Sequence, residues 1–130
     1  MTTFEELEAM LYEIADELPP ELYDGLNGGV VLRPEAKFHE VSTDTDLLYI
    51  LGEYHYDPRG LGRYIIVYYG SFIQLHGNAS PSRQREKLKG ILCHELTHHL
   101  ESLAGAKDLE VKDRWDIYDF VSRKNRKILV

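Results

Sequence analysis

The sequence predicts a single α+β domain, with helices packed on a small mixed β-sheet. Its 130 residues are enough to bury one hydrophobic core. Hydrophobic residues make up 43% of the chain and charged residues 28%, as in an ordinary soluble globular domain. The predicted elements run from one helix through several short strands to two further helices, an order typical of two-layer α+β folds. We therefore interpret residues 1–130 as one domain.

The first predicted element is an amphipathic helix over residues 3–18. Thr3 can cap its start while Glu6 completes a capping box. Pro19-Pro20 ends the helix, because proline cannot continue its hydrogen bonding. Apolar residues recur at helical spacing on the face expected to be buried, namely Phe4, Leu7, Leu11, Ile14 and Leu18.

Three segments predict β-strands. Residues 29–33 form a short apolar run that Pro34 stops, and residues 47–53 predict a second strand. Residues 64–69 give the clearest pattern, because β-branched and aromatic residues follow one another without interruption. Gly70 is expected to close this third strand.

The segments around these strands predict loops and turns. Residues 35–46 are polar and acidic, which favours a loop. Residues 55–60 contain aspartate, proline and glycine in close succession and predict a turn. Residues 72–76 fit either another short strand or a turn of helix.

The longest predicted helix starts at Ser80-Pro81-Ser82, where Ser80 suits the N-cap and Pro81 the first helical position. Residues 83–103 contain no proline and a single glycine, Gly90. One side of this helix is leucine-rich and predicts its buried stripe, namely Leu88, Leu92, Leu96, Leu100 and Leu103.

This helix carries His94-Glu95-Leu96-Thr97-His98, the HExxH pattern of zinc metallopeptidases. Residues four apart lie about one turn apart on the same helix face, so both imidazoles can converge on a metal at roughly 2.0–2.1 Å. Glu95 lies beside the pair, where it can take a proton from a metal-bound water. We therefore predict that His94 and His98 bind zinc, facing a cleft, and that Glu95 is the catalytic base.

Other polar side chains have less specific surroundings. His99 points toward the leucine stripe, which predicts a packed histidine with one satisfied nitrogen. Cys93 differs in direction from His94 by about 100° and is interpreted as a small core residue. His39, His55 and His76 lie in predicted loops or at strand ends, where one of them could contact substrate or polarise a carbonyl, and a strand tyrosine near the cleft could stabilise an oxyanion.

Composition excludes several functions and locations. The net charge of -7 argues against nucleic acid as a partner. No apolar stretch approaches the roughly 18 residues needed to span a bilayer. A single cysteine cannot form an internal disulfide and favours a reducing compartment. We expect a cytoplasmic monomer that acts on a peptide or protein, with no membrane partner.

Taken together, these features resemble the small bacterial zincin-like metallopeptidases, or minimal zincins. The resemblance rests on a helix ending in Leu18-Pro19-Pro20, on Leu51-Gly52-Glu53-Tyr54 before a loop, on a strand from Ile65 to Gly70, and on the HExxH helix. It spans the chain from Phe4 to about Asp108. It implies a zinc enzyme whose active-site helix lies under a small mixed sheet, with the cleft between them.

The resemblance also implies a third zinc ligand. The family pattern continues after HExxH as xxGxxD, and this chain has Gly105-Ala106-Lys107-Asp108, displaced by four residues or about one helical turn. Gly105 would end the helix so that Asp108 returns to the metal. Glu110 and Asp113 are alternatives, as is Glu101, which we favour least because three ligands on one straight helix do not converge on a tetrahedral metal.

Asp108 could instead cap a final helix that continues to about Arg123. The apolar residues of that segment are candidates for its buried positions, namely Leu109, Trp115, Tyr118 and Val121.

The sequence therefore predicts a zinc-dependent metallopeptidase that hydrolyses peptide bonds by glutamate-assisted attack of zinc-bound water. The strand over residues 65–69, if it forms the sheet edge, could hold an extended peptide by β-augmentation. The alternative is a non-catalytic protein-interaction domain with a structural or vestigial metal site.

Overall fold

The three-dimensional structure is a computed structural model that describes residues 1–40, 42 and 47–106. The predicted final helix over residues 108–123 and its candidate buried residues lie outside the described residues. The elements in chain order are α1 (Phe4–Glu17), a 3₁₀ turn (Pro20–Tyr23), β1 (Gly29–Arg33), β2 (Lys37–Phe38), β3 (Tyr49–Ile50), β4 (Gly52–Asp57), β5 (Gly62–Tyr68), α2 (Tyr69–His76) and α3 (Pro81–Ala106).

Local sequence signals place the starts of both long helices. The Glu6 backbone N–H donates to Thr3 Oγ1 at 3.1 Å, and the Thr3 N–H donates to Glu6 Oε1 at 2.9 Å. This reciprocal pair is the predicted capping box of α1. At the start of α3, the Arg83 N–H donates to Ser80 Oγ at 3.3 Å, one residue ahead of the proline that opens the helix.

The main sheet is mixed and has the strand order β1-β5-β4. Strand β5 lies in the centre, parallel to β1 and antiparallel to β4. A second, two-stranded antiparallel sheet joins β2 to β3. The α+β prediction is confirmed. The condition on which residues 65–69 could hold an extended peptide is not met, because this strand is not a sheet edge: β4 lies on one side of it and β1 on the other.

The predicted strand over residues 47–53 is two strands. Strand β3 stops at Ile50, and β4 runs from Gly52 to Asp57, through residues that we predicted to turn. Pairing with β5 over six residues keeps the segment extended, because each added cross-strand pair outweighs the local turn preference. The turn comes later, where the Gly60 N–H donates to the Asp57 carbonyl at 3.2 Å.

Two other segments also differ from the prediction. Strand β5 ends at Tyr68 and residues 69–76 form helix α2, which confirms the helical alternative for residues 72–76 but places Gly70 inside a helix instead of at the end of the strand. A side chain at Gly70 would place a Cβ only 2.5 Å from the Ala36 nitrogen, so this glycine allows close backbone contact. The segment predicted as a loop over residues 35–46 contains the short strand β2.

The core lies between one face of the main sheet and the helices α1 and α3. Four of the five predicted α3 leucines are buried there, and Leu103 is only partly buried. Other large buried side chains of this core include Leu7, Leu11 and Ile14 from α1, Ile65 and Val67 from β5, and Phe72 from α2. The core thus fixes the face of α3 that is turned toward the sheet.

Across residues 1–40, 42 and 47–106, no helix combines the length and apolarity required to cross a membrane.

Candidate functional site

The two motif histidines lie side by side on α3. The His94 and His98 ring centroids are 4.9 Å apart, with the rings nearly perpendicular at 84°. Both side chains are partly buried, and burial followed by the proximity of His98 lowers the pKa of His94 to about 4. A neutral imidazole at His94 keeps a nitrogen lone pair, as a metal ligand requires.

Glu95 lies between these histidines in sequence and is fully buried, with 0% of its surface exposed. Neither of its carboxyl oxygens has a hydrogen-bond partner among the described residues. Burial, followed by the negative charge of Glu53, raises the pKa of Glu95 to about 8. A buried carboxyl group without a partner is costly, and at a functional site it indicates a missing ligand, ion or water.

A glycine lets the strand approach this carboxyl group closely. A Cβ at Gly52 of β4 would lie 3.0 Å from Ile91 Cγ2 and 3.3 Å from Glu95 Cγ. Any side chain at Gly52 would therefore push β4 away from α3. The glycine brings the edge strand next to the motif helix.

A groove of about 420 Å³ runs between β4 and α3. Its walls are formed by polar and charged residues of both elements, namely Glu53, Tyr54 and His55 from β4, and Glu95, His98, Glu101 and Ser102 from α3. The structure therefore places Glu95 and His98 in one cleft, whereas His94, which was also predicted to face it, is not among the residues that line this groove. Neither His39 nor His76 lines this groove.

Glu53 on β4 is held by three donors. Its Oε1 accepts from the Tyr68 hydroxyl at 2.6 Å and from His55 Nε2 at 3.0 Å, while its Oε2 accepts from Lys37 Nζ at 2.5 Å. Burial alone would raise the pKa of Glu53. The hydrogen bonds from Lys37, Tyr68 and His55 lower it by more, so the pKa of Glu53 lies below its ordinary value. Glu53 is thus a fixed carboxylate beside the groove.

Glu53 is a residue of the groove that the sequence prediction missed. Strand alternation was the available signal, since Glu53 and His55 are two apart and share one face of a strand. The turn predicted for residues 55–60 separates His55 from the preceding strand, so the sequence prediction does not pair His55 with Glu53.

His99 connects α3 to the rest of the domain. It is fully buried, its Nε2 lies 2.7 Å from the Asp24 carbonyl oxygen, and its Nδ1 lies 2.9 Å from the Tyr54 hydroxyl. A carbonyl only accepts, so Nε2 carries a proton and donates it. The predicted packing role is confirmed, with both ring nitrogens bonded instead of one.

Cys93 and Glu101 flank the histidine pair. Cys93 is partly buried at the edge of the core, and burial raises the pKa of its thiol, which disfavours the reactive thiolate. Glu101 lines the groove with 43% of its side chain exposed, and its Oε1 lies 3.7 Å from His98 Nδ1. That distance is longer than a hydrogen bond.

Most candidates for the third ligand lie beyond the end of α3. Asp108, Glu110 and Asp113 are outside the described residues. Within residues 1–40, 42 and 47–106, no three histidine, cysteine, aspartate or glutamate side chains are arranged to hold a metal ion. The expectation that Gly105 ends the motif helix is wrong, because α3 continues to Ala106 and Gly105 does not take the left-handed conformation of a glycine cap.

The comparisons with known proteins give a relative without a stated activity. No protein-family model matches the chain, and no curated protein matches it. A solved structure described as a conserved hypothetical protein from T. thermophilus is similar, with a TM-score of 0.67 and 34% sequence identity. The match covers 81% of this chain and 100% of that chain. At this identity and coverage, the chain belongs to the same family as that conserved hypothetical protein.

Proposed function

We propose that this protein is a zinc-dependent metallopeptidase in which His94 and His98 bind the metal and Glu95 is the catalytic base. The observation that carries the proposal is Glu95 itself. A fully buried carboxyl group with no partner among the described residues, one position from a pair of adjacent histidines, is hard to explain by packing. Its position beside a metal that binds the attacking water would explain it.

The residues present fit a zinc ion as far as they are described. Two imidazoles one helical turn apart, like those of His94 and His98, commonly supply two of the protein ligands of a zinc ion. A cation bound by this pair would also stabilise the carboxylate form of Glu95, which burial alone disfavours. The arrangement of α3 beneath a small mixed sheet, with a groove at the edge strand, supports the likeness to the minimal zincins.

Glu95 performs the proton transfers in the proposed reaction. Zinc, when bound, supplies Lewis acidity that lowers the pKa of a coordinated water to roughly 7. Glu95 accepts a proton from the attacking water and then delivers it to the amine that leaves. The walls of the groove limit access of bulk water to the carboxyl group, since Glu95 is fully buried.

The third ligand in this proposal is Asp108, by analogy with the family pattern. Since α3 continues past Gly105, the chain would have to turn between Ala106 and Asp108 to bring that aspartate back. Glu110 and Asp113 remain alternatives. Glu101 is the one candidate among the described residues, and it lies in the same groove as His98.

The substrate would be a peptide or an extended protein segment. Because β5 is the central strand, an added peptide strand cannot pair with it. We therefore place the proposed β-augmentation at β4, an edge strand of the main sheet among the described strands. An extended chain paired with β4 would pass along the groove, over Glu95 and His98. Cytoplasmic location and a monomeric state stay predictions.

The alternative is a non-catalytic interaction domain with a structural or vestigial metal. The observation in its favour is that the described residues supply two histidines and no complete set of three ligands. A closed shell of four protein ligands would support this alternative, because catalysis needs one position open to water.

The test combines metal content with peptide cleavage. The zinc-loaded wild type, Glu95→Gln and His94→Ala would be incubated with a randomised decapeptide library, and new termini would be identified by mass spectrometry. The proposal predicts cleavage by the wild type alone, with zinc retained by Glu95→Gln. Equal cleavage by the wild type and Glu95→Gln would contradict it.

A further inference from the structure

A second cavity lies at the opposite edge of the main sheet from the groove. It has a volume of about 300 Å³ and lies between α1, the 3₁₀ turn and β1. Because β1 and β4 flank β5 on opposite sides, this cavity is separate from the site proposed for peptide hydrolysis. Its volume is at the lower end of the range for small-molecule sites, so it suits a small ligand or a single side chain.

The lining of this cavity combines apolar and polar side chains. Its apolar side chains come from Ala15, Leu26 and Val30, of which Leu26 is buried. Its polar side chains are Tyr12, Asp16 and Tyr23. Tyr12 and Asp16 are exposed, whereas Tyr23 is partly buried. A ligand in this cavity would therefore contact apolar surface with one part and a solvent-exposed carboxylate with another.

The polar groups of the lining are mainly hydrogen-bond acceptors. The Tyr23 hydroxyl donates its only proton to the Ala15 carbonyl oxygen at 2.8 Å, so its own oxygen can only accept further bonds. Burial, followed by the charges of Cys93 and Asp16, raises the pKa of Tyr23 to about 12, which keeps that proton in place. An ionised Asp16 carboxylate can also only accept. The lining is thus complementary to a ligand that donates.

Helix α1 adds negative charge around the cavity. Its acidic residues are Glu5, Glu6, Glu8, Glu13, Asp16 and Glu17. Glu13 and Glu17 are paired with Arg85, whereas Asp16 forms no hydrogen bond or ion pair with the described residues. Asp16 also lies in the last turn of α1, where the helix dipole favours a cation and where no basic residue is present. These charges favour a cationic ligand over an anionic one.

The aromatic and apolar lining selects among cations. A metal ion such as Ca²⁺ needs six or more oxygen ligands, and the lining provides a single carboxylate. An organic ammonium is less demanding, because aromatic rings attract its charge and apolar side chains contact its carbon atoms. Tyr12 and Tyr23 supply two such rings beside the Asp16 carboxylate.

We infer that this cavity binds an alkylammonium group, with the cation next to Asp16 and the two tyrosine rings, and with its methyl or methylene groups against Leu26 and Val30. The ammonium group has two sources, a free small molecule or the lysine side chain of a peptide. The second source is open because β1 is an edge strand of the main sheet among the described strands, beside which an extended peptide could lie. The inference does not depend on zinc or on Glu95.

The probe is choline, and its neutral isostere dimethylbutanol, in which carbon replaces the charged nitrogen, is the matched control ligand. Each would be titrated into the isotope-labelled full-length protein while the amide chemical shifts are followed by NMR. We expect choline to bind with a Kd on the order of 1 mM, and the alcohol to bind about 5–10-fold more weakly. The shifts should centre on Asp16, Tyr23 and Val30. Equal affinities for the two ligands, or shifts centred on Glu95 and Glu101, would overturn the inference.

The principal variant is Asp16→Asn, which keeps the shape of the side chain and removes its charge. We expect it to lower the affinity for choline about 5–10-fold. The matched control is Glu5→Gln, since Glu5 is also exposed, lies about 16 Å earlier on the same helix and does not line the cavity. Its affinity for choline should equal that of the wild type. Equal losses in the two variants would indicate a general attraction to the acidic helix and overturn the inference.

Tyr12→Leu tests the aromatic contribution. Leucine keeps apolar surface at this exposed position and removes the ring, so we expect the affinity for choline to fall about 2–5-fold. The affinity for dimethylbutanol should stay the same, because the alcohol carries no charge for the ring to attract. Equal losses for both ligands would show that Tyr12 supplies apolar contact alone, and would overturn the assignment of an ammonium site.

A blocked pentapeptide with a central lysine distinguishes the two sources. Tighter binding of this peptide than of choline, weakened by Asp16→Asn, would support a lysine side chain as the ligand. Tighter binding of choline would support a free alkylammonium compound. Glu95→Gln should bind both probes as the wild type does, so that a failure of the peptidase proposal would leave this site standing. Binding of neither probe by the wild type would overturn the inference.

Discussion

Glu53 and Glu95 line the same groove from facing elements, yet their carboxyl groups differ in how they are satisfied. Glu53 accepts from Lys37, Tyr68 and His55, while Glu95 has no partner among the described residues. The fixed negative charge of Glu53 also contributes to the raised pKa of Glu95. A metal cation at His94 and His98 would relieve this repulsion, which is a physical reason to propose one there.

The first prediction concerns the catalytic base. Glu95→Gln should keep the fold and the metal but lower peptide hydrolysis by about 10²–10⁴-fold, because a carboxamide cannot accept the proton of the attacking water. Steady-state kinetics on a cleaved library peptide would measure the loss. A variant that hydrolyses this peptide at the wild-type rate would show that another group is the base.

The second prediction concerns the pH dependence of stability in the metal-free protein. The pKa of Glu95 rises from an ordinary 4.5 to about 8 in the fold. The stability contributed by its protonated form is therefore fully present below pH 4.5 and is lost as the pH rises through 8. By linkage, this loss is on the order of 3–5 kcal/mol.

Chemical denaturation of the chelated wild type and of Glu95→Gln, from about pH 4.5 to 8.5, would measure this loss. The pKa of His94 is lowered from its ordinary 6.5 to about 4, so His94 destabilises both proteins equally as the pH falls below 6.5. The difference in unfolding free energy between the wild type and Glu95→Gln therefore reports on Glu95 alone. The wild type should weaken toward pH 8 relative to the variant, and zinc should reduce the difference. Parallel curves would indicate that Glu95 titrates normally.

The third prediction concerns the third ligand. Asp108→Ala should weaken zinc binding strongly, whereas Glu101→Ala should be nearly neutral, because Glu101 Oε1 is 3.7 Å from His98 Nδ1 and forms no hydrogen bond with it. Competition with a chromogenic chelator would give both affinities. The opposite ranking would move the third ligand to Glu101, and a loss in Glu110→Ala or Asp113→Ala alone would move it to that residue.

The sequence predicted the elements with local signals and failed where pairing across the sheet decides. The Thr3 and Glu6 capping box and the Ser80-Pro81 start are each complete within four residues, so their helices were placed correctly. The extension of β4 to Asp57 depends on its pairing with β5, and residues 55–60 contain no local signal that predicts it. The position of β4 at the edge of the described main sheet also depends on the strand order and not on its own residues.

The candidate site divides in the same way. His94, Glu95 and His98 follow from spacing on one helix and lie where that spacing requires. Strand alternation could place Glu53 and His55 on one face of a strand, but it could not reveal the partners that hold Glu53, because Lys37 lies 16 positions earlier and Tyr68 15 positions later. The function of Gly52 likewise depends on how closely α3 approaches the strand.

The most direct test of the central claim is the zinc content of the protein purified without chelator, measured by elemental analysis. We predict about one zinc per chain in the wild type and none in the double variant His94→Ala/His98→Ala, with circular dichroism showing that both proteins are folded. Glu95→Gln serves as the matched control and should retain the metal. Full zinc retention in the folded double variant would contradict the assignment of the metal site to this histidine pair.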